Sequence, residues 1–306
     1  MARTHWDREI EQLRRDNRSG AEEVATRALE LLIDAVGESE PGGGPSYSRW
    51  LVQISRQMVA AQPSMGVLYR MVNDMLWACQ GATRGEQMRE DALTFLQRYR
   101  ARAVAAVEAL AECACAYLAQ YPVIMTYSRS STVVHVLTAM AESEMTMRVL
   151  CSEGRPMLEG QTLASELGWA GLDVTLGTDM ALFGWLPETR ALLLGADSVS
   201  RSGLVNKIGS AELVRAAFER DIPRVVVCTS QKFLPNEYVF GQTMRAGDPE
   251  EIMPVSSANV TVRNTYFDTT PLQLISVVIT EKGPLIGEPL LEELSRIQTY
   301  PGLRGR

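Results

Sequence analysis

Two different apolar spacings divide this chain. From Ala21 to Val36 the apolar residues fall at Val24, Ala25, Ala28, Leu31, Leu32 and Ala35, the three-and-four spacing of one helix face. Ser19-Gly20 precedes it, and Glu22 and Glu23 sit in its first turn, where carboxylates suit the positive end of a helix. Pro41, three consecutive glycines and Pro45 read as a flexible linker over 38–48. Helical spacing resumes over 50–60, 65–78 and 84–119. At Pro122 the pattern changes. Short apolar runs at 123–126, 147–151, 173–176, 191–194, 225–228 and 275–280 alternate with amphipathic stretches such as 160–167 and 210–220. Strand and helix in regular succession predict an α/β domain: a mainly parallel, Rossmann-like sheet with helices on both faces. The expected division is a helical domain over 1–120 and an α/β domain over 121–306.

Composition narrows the partners. Of 306 residues 46% are hydrophobic and 22% charged, which supports a proper core, and the formal net charge of −7 argues against nucleic acid. No apolar run approaches the roughly 20 residues that span a bilayer, and the first residues lack a signal-peptide core; a cytoplasmic, membrane-free protein is expected. Five scattered cysteines suit a reducing compartment, and only two histidines, His5 and His135, leave little for a metal site or a serine–histidine pair. No metal or cofactor is therefore expected. His5 falls in a terminus expected to be loose, and His135 in an apolar stretch.

Ligands of open α/β sheets bind beyond the carboxyl ends of the strands, and those ends are rich in chemistry here. The first strand runs into Thr126-Tyr127-Ser128-Arg129-Ser130-Ser131, hydroxyls and an arginine before a helix, an arrangement suited to an anion. Later ends carry Arg155, Asp179, Asp197 with Asn206 and Lys207, and Lys232. The lysines suit phosphate oxygens and Asn206 a sugar hydroxyl. Asp179 and Asp197 suit hydroxyls or proton transfer. The alternative for each is a cap or an ion pair. The expected ligand is a phosphorylated sugar or nucleotide.

Several of these stretches carry a resemblance. Gly195-Ala196-Asp197-Ser198-Val199, followed by Val205-Asn206-Lys207-Ile208-Gly209-Ser210, resembles the signature of the translation initiation factor 2B alpha/beta/delta family. That family includes ribose-1,5-bisphosphate isomerase and methylthioribose-1-phosphate isomerase. Glu153-Gly154-Arg155-Pro156, Gln231-Lys232-Phe233 and Phe267-Asp268-Thr269-Thr270-Pro271 are similar to further family stretches. Arg18-Ser19-Gly20-Ala21 and Gln62-Pro63-Ser64 match more loosely, with Gln62 where many members have arginine. The resemblance implies a homo-oligomer, a dimer or larger, and a sugar-phosphate pocket at the junction of the two domains. Asp197, Asn206, Lys207 and Lys232 are expected to line that pocket, with Ser128, Arg129 and the Ser19-Gly20-Ala21 turn closing it from other sides and Ser130 and Arg155 as further binding residues. It also implies Asp197 as a catalytic residue of an aldose–ketose isomerase. Its partner, a cysteine in the isomerases, is here Ser128. Cys228 is a second candidate for that partner. A serine holds its proton far more tightly than a thiol, so two readings stand: an isomerase with altered chemistry, or a non-catalytic sensor resembling a regulatory subunit.

Overall fold

The computed structural model describes residues 5–16, 21–235, 238, 246–254 and 257–304. Five helices come first: α1 (His5–Arg15), α2 (Ala21–Glu38), α3 (Gly44–Ala61), α4 (Gly66–Ala78) and α5 (Gly85–Leu118). The terminus expected to be loose is therefore helical from His5, because Ile10 and Leu13, one turn apart, are both buried in the helical core. The expected linker is also shorter than its composition suggests. Helix α3 begins at Gly44 with a proline in its first turn, where the missing N–H costs nothing. The glycines serve close packing instead. A Cβ on Gly44 would stand 2.0 Å from the Thr83 carbonyl oxygen, and one on Gly85 would stand 2.2 Å from that of Gly42.

The second half alternates as expected: β1 (Val123–Thr126), α6 (Ser131–Glu142), β2 (Arg148–Ser152), α7 (Glu159–Trp169), β3 (Asp173–Gly177), α8 (Ala181–Trp185), β4 (Ala191–Leu194), β5 (Ser198–Ser200), β6 (Gly203–Lys207), α9 (Ser210–Phe218), β7 (Arg224–Val227), β8 (Phe267–Thr270), β9 (Val277–Thr280), β10 (Gly283–Leu285) and α10 (Glu288–Ser295). The main sheet has the order β10-β9-β7-β4-β1-β2-β3, parallel throughout except for β10. From β3 to β9 this is the doubly wound order in which the chain reverses direction between β1 and β4. Each residue of β4 is buried, and β1 and β7 are nearly so, as strands covered on both faces must be.

A second sheet, β5-β6-β8, is antiparallel and departs from the single mainly parallel sheet that the spacing predicts. Its strands hide their signal, since β5 buries Ser198 and Ser200 and β6 buries Asn206 and Lys207. The pairs Asn206↔Asp268 and Lys207↔Phe267 fix its register. It stands directly after β4 and carries the Asp197 and Lys207 stretches together.

The two halves are joined through more than a linker. Helix α5 places Ala92 and Leu96 in the helical core, but Leu110, Ala111, Ala114 and Leu118 in the core beneath the sheet. The end of the chain returns to the helices: the Tyr69 hydroxyl donates to Thr299 Oγ1 at 3.0 Å, and the Arg56 guanidinium to the Gly302 carbonyl at 2.8 Å. At Gly66 the first turn of α4 rests on the site itself. Its N–H donates to the Asp197 carbonyl at 3.1 Å, and a Cβ there would meet the Lys232 carbonyl oxygen at 2.9 Å.

Candidate functional site

A cavity of about 420 Å³ opens at the carboxyl ends of β1 and β4, where the topology reverses. Ser128, Arg129, Ser130, Asp197, Asn206, Lys207 and Lys232 all line it, with Gln62, Glu159, Arg14 and Arg15. Distant parts of the sequence meet because parallel strands deliver their ends to one rim.

Each side chain is held locally. Ser128 has φ of 63°, in the left-handed region, which turns the chain sharply between β1 and α6. Ser130 stands at the N-cap of α6. Gly195 makes room for it, since a Cβ there would fall 2.4 Å from Ser130 Oγ. Asn206 is buried and donates to the Gly195 carbonyl at 3.1 Å, tying the loop after β4 to β6. Lys232 Nζ donates to the Ala196 carbonyl at 2.6 Å, below Asp197. Burial pushes the Asp197 carboxyl up to about 6, against the opposing pull of the Lys232 and Lys207 ammonium groups. A carboxyl titrating there can hold or release a proton near neutral pH.

Glu159, the first residue of α7, was not singled out from the sequence, yet it organises one corner of the cavity. Its Oε1 accepts from the Ser128 hydroxyl at 2.6 Å and lies 2.6 Å from Lys207 Nζ. Gly154 gives it space, because a Cβ at that position would come within 3.1 Å of its carboxyl group. Lys207, only 6% exposed, is thus already paired inside the cavity. Removing one partner of such a pair strands the other charge. Lys207→Ala should cost about 3 kcal/mol in urea unfolding, and adding Glu159→Ala should recover most of it. A double variant as unstable as the single one would show that the pair does not couple.

Other expected site residues lie differently. Arg129 directs its guanidinium to Glu166 in two bonds of 2.8 Å, and that contact raises its pKa further. Arg155 is exposed and outside the cavity lining; it reaches the Ile252 carbonyl at 3.4 Å. Asp179 serves structure, accepting from the backbone N–H groups of Gly154 and Arg155 at 2.8 Å each. Asp268 likewise accepts from Gly209 N at 2.7 Å and from Ala211 N at 3.2 Å, at the start of α9. Ser19 and Gly20 lie outside the described residues, and Ala21 opens α2. Gln62, where the family resemblance expects arginine, donates instead to the Leu13 and Asp16 carbonyls at 2.7 and 2.6 Å, fastening the end of α1 beside the cavity. Cys228 and Cys151 are fully buried, and burial pushes their thiols up to about 12 and 11. Neither is a thiolate at neutral pH, and neither lines the cavity. His135 is half-buried on α6, 3.5 Å from Glu108 and away from the site.

A second cavity, of about 430 Å³, lies between α4 and α10. Its cations are paired: Arg70 with Asp74, and both Lys282 and Arg296 with Glu293. No cluster of potential metal ligands occurs among the described residues, and none of their helices is long and apolar enough to cross a membrane.

Known proteins share this architecture. The crystal structure of the translation initiation factor eIF-2B of Pyrococcus horikoshii superposes with a TM-score of 0.78 at 25% identity, covering 94% of this chain and 99% of that one. Ribose 1,5-bisphosphate isomerase of Archaeoglobus fulgidus is 32% identical over 185 residues, 59% of each chain. The protein of the same name from Pyrococcus furiosus is 26% identical over 276 residues, 86% of this chain and 85% of that protein. The sequence profile of the Initiation factor 2 subunit family matches residues 17–286, nearly the whole of both halves. The chain belongs to that family.

Proposed function

We propose that this protein binds a phosphorylated pentose derivative in the cavity and interconverts its aldose and ketose forms. The observation that carries this reading is the single cavity lined by Asp197, Asn206, Lys207 and Lys232, in which burial raises the Asp197 carboxyl to about 6 against the pull of the two lysines. The similarity to ribose 1,5-bisphosphate isomerases of two archaea supports it. In an aldose 1-phosphate the bond from C1 to the ring oxygen breaks with its electron pair on the oxygen, which takes up a proton. The C2 hydrogen moves to C1 with its bonding pair, and the C2 hydroxyl loses its proton as its oxygen becomes a carbonyl. The atoms balance within the substrate, so the site must supply one proton donor and one acceptor. Asp197 suits the donor role because it is protonated part of the time near neutral pH. The phosphate goes to Lys232 and the N-terminus of α6, where Ser130 and Ser131 line the cavity beside first-turn N–H groups that a helix leaves without an internal partner. Carbon-13 NMR of ribose 1,5-bisphosphate incubated with the protein should show a ketone carbon growing at the expense of the anomeric one.

One observation favours the other reading, a sensor that binds without turnover. The Ser128 hydroxyl stands where the resembling isomerases carry a thiol, and it is committed to Glu159. Binding of the sugar phosphate with no new ketone signal would establish that reading instead.

The same proposal includes a homo-oligomer. Trp169, Leu176 and Met180 expose apolar side chains around the edge strand β3, whose outer side pairs with no strand among the described residues, a feature that marks association faces. Light scattering should give at least twice the 33.8 kDa chain mass; a monomer mass at micromolar concentration would remove this part.

A further inference from the structure

The Ser128–Glu159–Lys207 corner has a feature that the proposed reaction leaves unused. Glu159 Oε1 takes both the serine and the lysine, whereas Glu159 Oε2 is buried and has no hydrogen-bond partner among the described residues. A buried carboxylate oxygen without a donor is costly and calls for one from a ligand. Lys207 Nζ, three-donor by chemistry, spends one donor on Glu159. One corner thus offers an open acceptor and unused donors side by side.

We propose that Glu159 makes this corner a subsite for a sugar hydroxyl and excludes phosphate from it. The inference rests on the sugar-phosphate reading of the cavity and deepens it. A hydroxyl is neutral and bifunctional: it donates to Glu159 Oε2 and accepts from Lys207 Nζ, so it completes both groups. A phosphate dianion reaching Lys207 would instead face the Glu159 carboxylate at contact distance inside a partly dry cavity, where like charges repel strongly. Lys207 has the residue type of a phosphate anchor, but its carboxylate neighbour reserves it for hydroxyls. Lys232, which donates to the neutral Ala196 carbonyl, keeps the charge that a phosphate needs. The ligand is therefore oriented, phosphate toward Lys232 and a free hydroxyl toward Ser128 and Glu159.

Calorimetric titration with inorganic phosphate tests this apart from any sugar chemistry. Glu159→Gln keeps the size of the side chain and an oxygen for Lys207 while removing the charge. It should bind inorganic phosphate at least tenfold more tightly than the wild type, and the gain should persist in a Lys232→Ala background. Glu159→Ala, checked for folding by its thermal transition, should show the same direction. A phosphate affinity within twofold of the wild type in both variants would overturn the proposal. Wild-type protein that binds no sugar phosphate, together with Glu159 variants that gain phosphate, would instead bring down the reading of the cavity and leave the role of Glu159 standing.

Discussion

Asp197→Asn should leave the affinity for a sugar phosphate within about threefold and lower turnover by about a thousandfold, the scale of losing a positioned proton-transfer group. The same variant should be more stable than the wild type at neutral pH. The sign follows from burial, which raises the carboxyl from its ordinary 3.8 to about 6 in the fold. Below pH ~3.8 it is protonated in both states and folding loses nothing. As the pH rises toward 6 the unfolded chain ionises first, so stability present in acid is lost over that interval. Asparagine never ionises and escapes the loss. The variant should match the wild type in thermal unfolding at pH 4 and exceed it by about 2 kcal/mol at pH 8, a figure reduced for the opening of Asp197 to the cavity. A variant less stable than the wild type at pH 8 would mean that Asp197 is a stabilising partner of the lysines. It would then not be a strained functional group.

The second large effect concerns Lys232. Lys232→Ala should weaken sugar-phosphate binding about 30- to 100-fold, the value of one charge-assisted contact to a phosphate. The fold should survive, because the lysine gives up one bond to the Ala196 carbonyl and its attraction for Asp197, a carboxyl that can take up a proton instead. Calorimetry at two salt concentrations checks the cause, since the wild type should lose affinity with added salt more steeply than the variant. This contrasts with Lys207, whose removal strands Glu159 and so reports on stability first.

Much of this was legible in the chain. The change from helical spacing to short apolar runs at Pro122 gave the α/β class, because strands covered on both faces must be continuously apolar and β4 is. The strand ends as a group could be marked as a rim from the alternation of strands and helices; Asp197, Asn206, Lys207 and Lys232 meet in one cavity there, whereas Arg155 and Asp179 do not line it. What escaped was set by contacts that spacing does not encode. The polar strands β5 and β6 bury serines, an asparagine and a lysine, so their pattern resembles a loop. Glu159 reads as an ordinary acidic residue in a first helical turn, and only its approach over Gly154 turns it into the cavity. Helix α1 reads as a loose end because it buries only Ile10 and Leu13 among its own residues, and its tie to Gln62 is a contact that spacing does not show. With it went Arg14 and Arg15, which line the cavity mouth. The stretch of Pro41 and its glycines read as slack, but the glycines are there so that two backbones can touch.

The central claim is that the cavity at the β1–β4 reversal holds a phosphorylated sugar. Thermal unfolding with ribose 1,5-bisphosphate, with free ribose, and with the Lys232→Ala variant tests it directly. At a ligand concentration a hundred times the dissociation constant the fold gains about 2.7 kcal/mol, so the transition of the wild type should rise by roughly 4 °C. Ribose alone should leave it in place, and the variant should lose most of the shift. No shift with the phosphorylated sugar, or an equal shift in Lys232→Ala, would contradict the account.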